Sequence, residues 1–236
     1  MSEQTTPPRP TAIGIRLFGH TLMLTGRAAN AFFAILLVVV VALLIHYRGS
    51  LTSPLWISAG LWIAMMIYWS AAAKQSGAVK SAESSASRAR HQLLLNAALV
   101  LLFVRLPWSG VRWLPASKLV APIGLAVQVA SMLLDVWAMR CLGRNWSGAV
   151  AIKIDHELIR TGPYRLVRHP IYTAMIGMYL GTAIVGGELH GLIAVGLCMI
   201  AYWRKTRMEE RGLIEVFGPV YEDYKRESWA LVPWVF

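Results

Sequence analysis

The sequence predicts an all-α integral membrane protein of about six transmembrane helices (five to six), ending in a C-terminal helical hairpin. Three observations carry this. Mean hydropathy is +0.52 and only 15% of the 236 residues are charged, against about a quarter in soluble domains. The apolar residues gather in runs near the roughly 20 residues needed to cross hydrocarbon. The cations sit in the short connections between those runs.

In chain order, residues 1–10 are polar and proline-rich and are expected to be a disordered tail. Residues 11–28 mix Ile13, Ile15, Leu17, Leu22 and Leu24 with Arg16, His20 and Arg27, which suggests an amphipathic helix along the interface. It is a poor signal peptide, because the apolar run begins late and no small-residue cleavage site follows closely. Residues 29–139 hold four expected spans: 29–45, 55–73 (opened by Pro54 and rich in Trp), 91–106 and 119–139. Pro107, Trp108, Trp113 and Pro115 form an aromatic turn between the last two, as interfaces favour. Residues 140–236 form the final region. In it, apolar runs 171–185 and 189–203 are joined by Gly186-Gly187-Glu188 as a tight helical hairpin spanning 171–203, followed by a polar tail.

The net charge of +11 does not point to nucleic acid, whose binders gather cations on a polar face. Cations in short loops suit anionic lipid headgroups instead. Cys141 and Cys198 show neither metal spacing nor a disulfide framework. With the N-terminus inside and six crossings, only Arg48, Arg105, Arg112 and Lys118 of the 23 lysines and arginines fall outside. The positive-inside rule thus selects a multi-pass topology with both termini cytoplasmic. Residues 155–172 and the tail from 203 then share one aqueous face.

The stretch from Gly162 to Tyr172 organises that face. Gly162-Pro163 ends what precedes it, and Pro170 suits the first turn of a new helix. Arg165, Arg168, His169 and Tyr172 therefore collect where a helix enters the bilayer, close to free N–H groups that favour an anion. His169 and Tyr172, three apart, share one face. The tail adds Arg204, Lys205, Arg207, Glu209, Glu210, Tyr221 and Tyr224. As a surface helix its charge pairs are worth only about a few tenths of a kcal/mol each. Asp135, inside an expected span, must face protein or a cavity, because lipid tolerates no lone carboxylate.

Several chemistries lack their signatures. There is no H-E-x-x-H, and His156 and His169 have no metal-helix spacing, so no metal site is expected. Neither G-x-S-x-G nor a phosphate-binding glycine loop is present.

Taken as a set, these motifs resemble those of the isoprenylcysteine carboxyl methyltransferase family, within the wider group of membrane methyltransferases that includes phospholipid methyltransferases. They are the run from His156 to Tyr172 with Gly162-Pro163-Tyr164 and Val167-Arg168-His169-Pro170-Ile171-Tyr172, then Glu209-Glu210, then Phe217-Gly218 with Tyr221 and Tyr224. Upstream, 142–147 also fits, and the resemblance covers about 142–224. Thr173-Ala174 departs slightly, standing where a small glycine is common. The resemblance implies S-adenosyl-L-methionine as cofactor, held in a cytoplasmic site. It places His156, Glu157, Leu158, Ile159, Tyr164, His169, Pro170, Ile171, Tyr172 and Glu209 at that cofactor. It also puts a basic residue shortly before the Glu pair at the acceptor, with Arg204, Lys205 and Arg207 competing for the role. Glu210 is the candidate base if the acceptor is an amine or thiol.

The resulting expectation is an S-adenosylmethionine-dependent membrane methyltransferase. It would act on a lipidic or small apolar acceptor, with membrane lipids as partners and neither nucleic acid nor metal. An NADPH-dependent membrane reductase of sterol type and a small transporter are the alternatives.

Overall fold

The computed structural model describes residues 12–17, 20–25, 53–73, 79–103, 111–146, 151–153 and 157–233. Six α-helices dominate them: α1 Ser53–Ala73, α2 Ser85–Phe103, α3 Val120–Leu142, α4 Pro170–Gly186, α5 Leu189–Phe217 and α6 Pro219–Glu227. Two small antiparallel strand pairs are added to the expected all-α fold: β1 Ala12–Leu17 with β2 His20–Thr25, and β3 Val79–Ala82 with β4 Ala151–Lys153.

The β1–β2 pair corrects the expectation of a helix over 11–28. The register sets Ile13 against Leu24 and Ile15 against Leu22. In β1 the large apolar residues alternate with Gly14 and Arg16, which is the period of a strand rather than of a helix. The expected tail 1–10 and first span 29–45 lie outside the described residues. The other five apolar runs coincide with α1 to α5. Ser53–Ala72 and Val120–Leu142 are long and apolar enough to cross a membrane, and Pro170–Gly186 is a shorter apolar helix. Many large apolar side chains point outward, Ile67 at 65% and Leu133 at 64% exposure among them. Exposed apolar faces on long apolar helices suit contact with lipid.

Between the helices, glycine sets the spacing. A Cβ at Gly124 on α3 would lie 2.7 Å from the Gly181 carbonyl, and one at Gly181 on α4 would lie 2.7 Å from that of Gly124. Gly177 similarly faces Ser131. Gly177 and Gly181 are four apart, so α4 presents one small-residue stripe along which α3 packs backbone to backbone. A buried polar network ties α1 to this pair. Trp62 Nε1 and Ser58 Oγ both donate to Thr182 Oγ1, at 3.0 and 3.2 Å, and Gln128 Nε2 donates to the Ser58 carbonyl at 3.1 Å. In an apolar environment such groups must satisfy one another.

The α4–α5 hairpin turns at Gly187, whose φ of 66° is left-handed. Residues 111–114 latch onto the turn: Leu189 N–H donates to the Val111 carbonyl at 2.9 Å, and Trp113 N–H to the Gly187 carbonyl at 3.2 Å. At the other end α5 continues beyond the expected limit of 203, to Phe217. This extension carries the Glu pair back over the start of α4.

Candidate functional site

The loop before α4 is built by its prolines and its tail. Gly162–Arg165 forms a 3-10 turn with Pro163 near its start, and Gly162 has φ +60°. A Cβ at Gly162 would also meet Cys141 Sγ at 2.6 Å, so α3 packs tightly against this turn. Pro170 then opens α4, and the Tyr172 and Thr173 N–H groups donate to the His169 carbonyl at 3.0 and 3.1 Å. The C-terminal segment straps the loop in place. Arg168 N–H donates to the Trp229 carbonyl at 2.8 Å, His169 N–H to that of Ala230 at 3.1 Å, and Trp229 N–H to that of Leu166 at 3.1 Å. Tyr224 Oη donates to the Tyr164 carbonyl, and Thr173 Oγ1 to that of Leu231 at 2.6 Å.

Two carboxylates of α5 meet this loop around one imidazole. His169 Nδ1 lies 3.6 Å from Glu209 Oε2, and Nε2 lies 3.5 Å from Glu210 Oε1. Tyr172 stacks on His169 with ring planes 1° apart and donates its hydroxyl to Glu209 Oε2 at 2.5 Å. Glu210 faces the other way. Its side chain is only 9% exposed and holds Arg168 Nε at 2.7 Å and Lys225 Nζ at 3.1 Å. Arg168 Nη1 also donates to the carbonyls of Lys225 and Ser228.

Burial disfavours every charge here, but mutual pairing outweighs it at His169, Glu209 and Glu210. The two carboxylates raise His169 above the usual histidine range. Glu210 is held down at about 2 by the His169 ring and the Arg168 guanidinium, despite its burial. Glu209 is lowered despite burial, chiefly by His169, then by the Tyr172 hydroxyl and Lys205. Burial lowers Lys205, partly offset by Glu209. The Lys205 ammonium stands 5.4 Å from the Tyr172 ring centroid, in cation–π range.

A cleft of about 820 Å³, including its open mouth, lies against this cluster. Its wall combines Glu157, Leu158, Ile159, Tyr164, His169, Ile171, Tyr172 and Glu209 from the expected set. His156 lies outside the described residues, and Pro170 is buried behind the wall as the helix start. Arg204, Arg207 and Glu210 do not line the cleft. Arg204 Nη2 donates to Ser87 Oγ on α2 at 2.7 Å, and Arg207 stacks over Trp203 at 5.1 Å. Of the three competing cations Lys205 alone lines it, and Arg168 joins it from the loop. Lys205, Glu209 and Leu213 are four apart and share one face of α5; that spacing is the signal that separates Lys205 from its neighbours. Sequence reasoning missed Trp69 and Leu213, which also line the cleft. Trp69 Nε1 donates to Asp135 Oδ2 at 2.7 Å, which gives that carboxylate a partner inside the helix bundle.

The cleft combines an anionic and cationic rim with aromatic walls, which suits a zwitterion carrying a further positive centre. Comparison with known proteins narrows this. Residues 120–220 match the phospholipid methyltransferase family model, whose span includes the loop, the hairpin and the Glu pair. The family resemblance is to membrane methyltransferases. The protein-S-isoprenylcysteine O-methyltransferase of Saccharomyces cerevisiae is 28% identical over 126 residues, covering 51% of this chain and 52% of its own. The Dictyostelium discoideum enzyme of the same name is 26% identical over 148 residues, covering 61% and 62%. The methanethiol S-methyltransferase of Mycobacterium tuberculosis is 29% identical over 102 residues, covering 42% and 39%. The chain thus spans about half the length of the curated relatives it matches. The solved eukaryotic intramembrane Ras methyltransferase ICMT (isoprenylcysteine carboxyl methyltransferase) superposes with a TM-score of 0.54 at 19% identity, over 88% of this chain and 77% of that one. This likeness shows a shared fold.

Proposed function

We propose that this chain is an S-adenosylmethionine-dependent membrane methyltransferase acting on a lipophilic acceptor, with a carboxylate of the prenylcysteine type as the first candidate. The observation that carries the reading is the His169–Glu209–Tyr172 cluster, which faces an aromatic cleft inside the stretch that matches the methyltransferase family.

The residues present fit the cofactor. His169 Nε2 is buried with no hydrogen-bond partner, although it faces Glu210 at 3.5 Å. Glu209, 31% exposed in its side chain and kept anionic, suits an ammonium. The raised His169 and Arg168 suit a carboxylate. Tyr164 and Tyr172 offer faces to a positive sulfur and an adenine ring. When bound, S-adenosylmethionine supplies a methyl group on a sulfonium.

The chain's own work is alignment and exclusion of water. Lys205 is the cation placed to orient an acceptor carboxylate, and it replaces Arg204 and Arg207 as the leading candidate. A carboxylate acceptor already carries its lone pair and needs no base. Glu210 is therefore read as the anchor of Arg168 and Lys225 and no longer as a base. The exposed apolar faces of α1 and α3 suit an acceptor that arrives through the bilayer. A multi-pass topology with both termini cytoplasmic accompanies this reading, since the cation asymmetry favours it. The similarity to a methanethiol S-methyltransferase favours a second acceptor class, small thiols.

A labelled-methyl assay on detergent-purified protein tests the reading, with S-prenylcysteines, membrane lipids and methanethiol as acceptors. Transfer to one class is expected. Thermal stabilisation by S-adenosylhomocysteine is expected as well, by the mass-action rule for native-state ligands. Stabilisation by NADPH alone would favour the reductase, and stabilisation by neither would leave the transporter.

A further inference from the structure

The cleft is lined by two chemically different sets of residues. Glu157, Arg168, His169, Lys205 and Glu209 are charged or titratable and come from the loop and α5. Trp69, Leu142 and Trp146 are aromatic or apolar and come from α1, α3 and the turn after α3. Trp69 stands outside the stretch that matches the methyltransferase family, since α1 precedes residue 120. Its indole is held from two sides. Trp146 meets it edge to face, with centroids 5.7 Å apart and planes at 76°. Asp135 Oδ2 accepts its N–H at 2.7 Å. Asp135 is 0% exposed, and its other oxygen, Oδ1, has no hydrogen-bond partner. A fully buried carboxylate on an apolar helix is costly, and nothing else in the described bundle uses this one. It does not line the cleft. Its one recorded hydrogen bond fixes the ring that does.

We infer that Trp69 is a specificity-determining wall for the apolar part of the methyl acceptor, and that Asp135 is a positioning residue that locks the Trp69 ring. The inference rests on the methyltransferase reading. The charged residues take the polar groups of the cofactor and of the acceptor, so Trp69 is left for an apolar chain, on a helix whose Ile63 and Ile67 are exposed. With the indole locked, the wall has one shape and discriminates between chains by length and bulk; with the indole released, it does not.

The test uses the full chain in detergent or nanodiscs, with an S-farnesylcysteine derivative and a short S-alkylcysteine as competing acceptors. Asp135→Ala removes the lock, Asp135→Asn keeps an accepting oxygen, and Trp69→Phe keeps an aromatic wall without the donor. S-Adenosylhomocysteine binding is measured alongside, as a readout of fold and cofactor site. Asp135→Ala and Trp69→Phe should each raise the KM for the long acceptor five- to tenfold and erode the preference between the two acceptors. S-Adenosylhomocysteine affinity should stay within twofold. Asp135→Asn should restore most of the preference. The double variant should be no worse than the worse single, because both act on one hydrogen bond.

Unchanged acceptor preference in well-folded variants overturns the inference. So do additive effects, failure of Asp135→Asn to rescue, or a loss confined to S-adenosylhomocysteine affinity, which would put Trp69 at the cofactor. A wild-type chain that transfers no methyl to any acceptor removes the underlying reading as well. A wild-type chain that transfers normally while the variants match it removes only this inference.

Discussion

At the scale of single residues, the site is a chain of compensated charges, and its pH response follows from the compensation. His169 is raised because Glu209 and Glu210 flank its protonated form. Its contribution to stability is therefore complete below the unfolded value near 6.5 and is lost as pH rises through the raised folded value. Glu210 works in the opposite sense. Its folded value of about 2 lies below the unfolded carboxylate, so its contribution is present above about 4.5 and is lost as pH falls towards 2. Unfolding midpoints in detergent should thus be highest between about pH 4.5 and 6.5 and decline above it. His169→Gln should flatten the alkaline decline; an equally steep decline in that variant would place the titrating group elsewhere. The two glutamates should separate in mutants. Glu209→Gln should lower S-adenosylhomocysteine affinity by about tenfold or more, the size of one charged hydrogen bond, and should cost less stability than loss of Glu210. Glu210→Ala leaves Arg168 buried without its carboxylate, which should cost about 3 kcal/mol or more of stability, read by denaturant unfolding. If Glu210→Ala unfolds like wild type and loses only turnover, it is a catalytic group after all.

At the scale of elements, α3 and α4 act as one unit because glycine lets their backbones touch. Gly181→Ala forces a Cβ to within 2.7 Å of the Gly124 carbonyl and 2.8 Å of Gln128 N. These are backbone atoms that cannot swing away, so destabilisation of about 1–3 kcal/mol is expected, read as a lowered unfolding midpoint. Gly196→Ala on α5, where the space is open, is the control and should be near neutral. Much of this architecture was legible in the sequence. The runs behind α1 to α5 are set by length and hydropathy, and the start of α4 by Pro170 next to Gly162-Pro163. The loop residues at the cleft came through because the run from His156 to Tyr172 resembles a known family motif, which the basic proline-broken stretch alone does not specify. Four things did not come through. The strand pair at 12–25 was hidden because five scattered apolar residues fit an amphipathic helix nearly as well as an alternation. The extension of α5 to Phe217 was hidden because hydropathy marks where a helix leaves lipid and not where it ends. Arg204 and Arg207 were favoured for their charge, but rotation about α5 turns them to Ser87 and Trp203 and leaves Lys205 facing Glu209. Trp69 lies 66 residues from Asp135, and no local pattern reports a contact across that separation.

At the scale of the whole molecule, the proposed topology puts the two ends of the hairpin in different water. The α4–α5 turn and residues 111–114 hold one end together through Leu189, Trp113 and Gly187. The loop 157–169, the outer half of α5 and α6 hold the other. The exposed cations follow the same division. Among the described residues, Arg90, Arg140, Arg160, Arg165, Arg207, Arg211 and Arg226 are exposed at the site end, while Arg112 and Lys118 are exposed near the turn. Each cation near an anionic cytoplasmic surface is worth about 1 kcal/mol, so seven against two favours one orientation. On the proposed reading the site should open to the cytoplasm, where a soluble cofactor can reach its charged residues while an apolar acceptor arrives from lipid. Impermeant maleimide labelling checks this in a background with Cys141 and Cys198 replaced by alanine. Asp223→Cys on α6, exposed and near the site, should label only after the membrane is opened. Ala116→Cys, beside the hairpin turn, should label in intact cells. If both label from one side, the α4–α5 hairpin does not cross the bilayer. The loop and the Glu pair would still meet, but the separation of an aqueous donor route from a lipid acceptor route would have no physical basis.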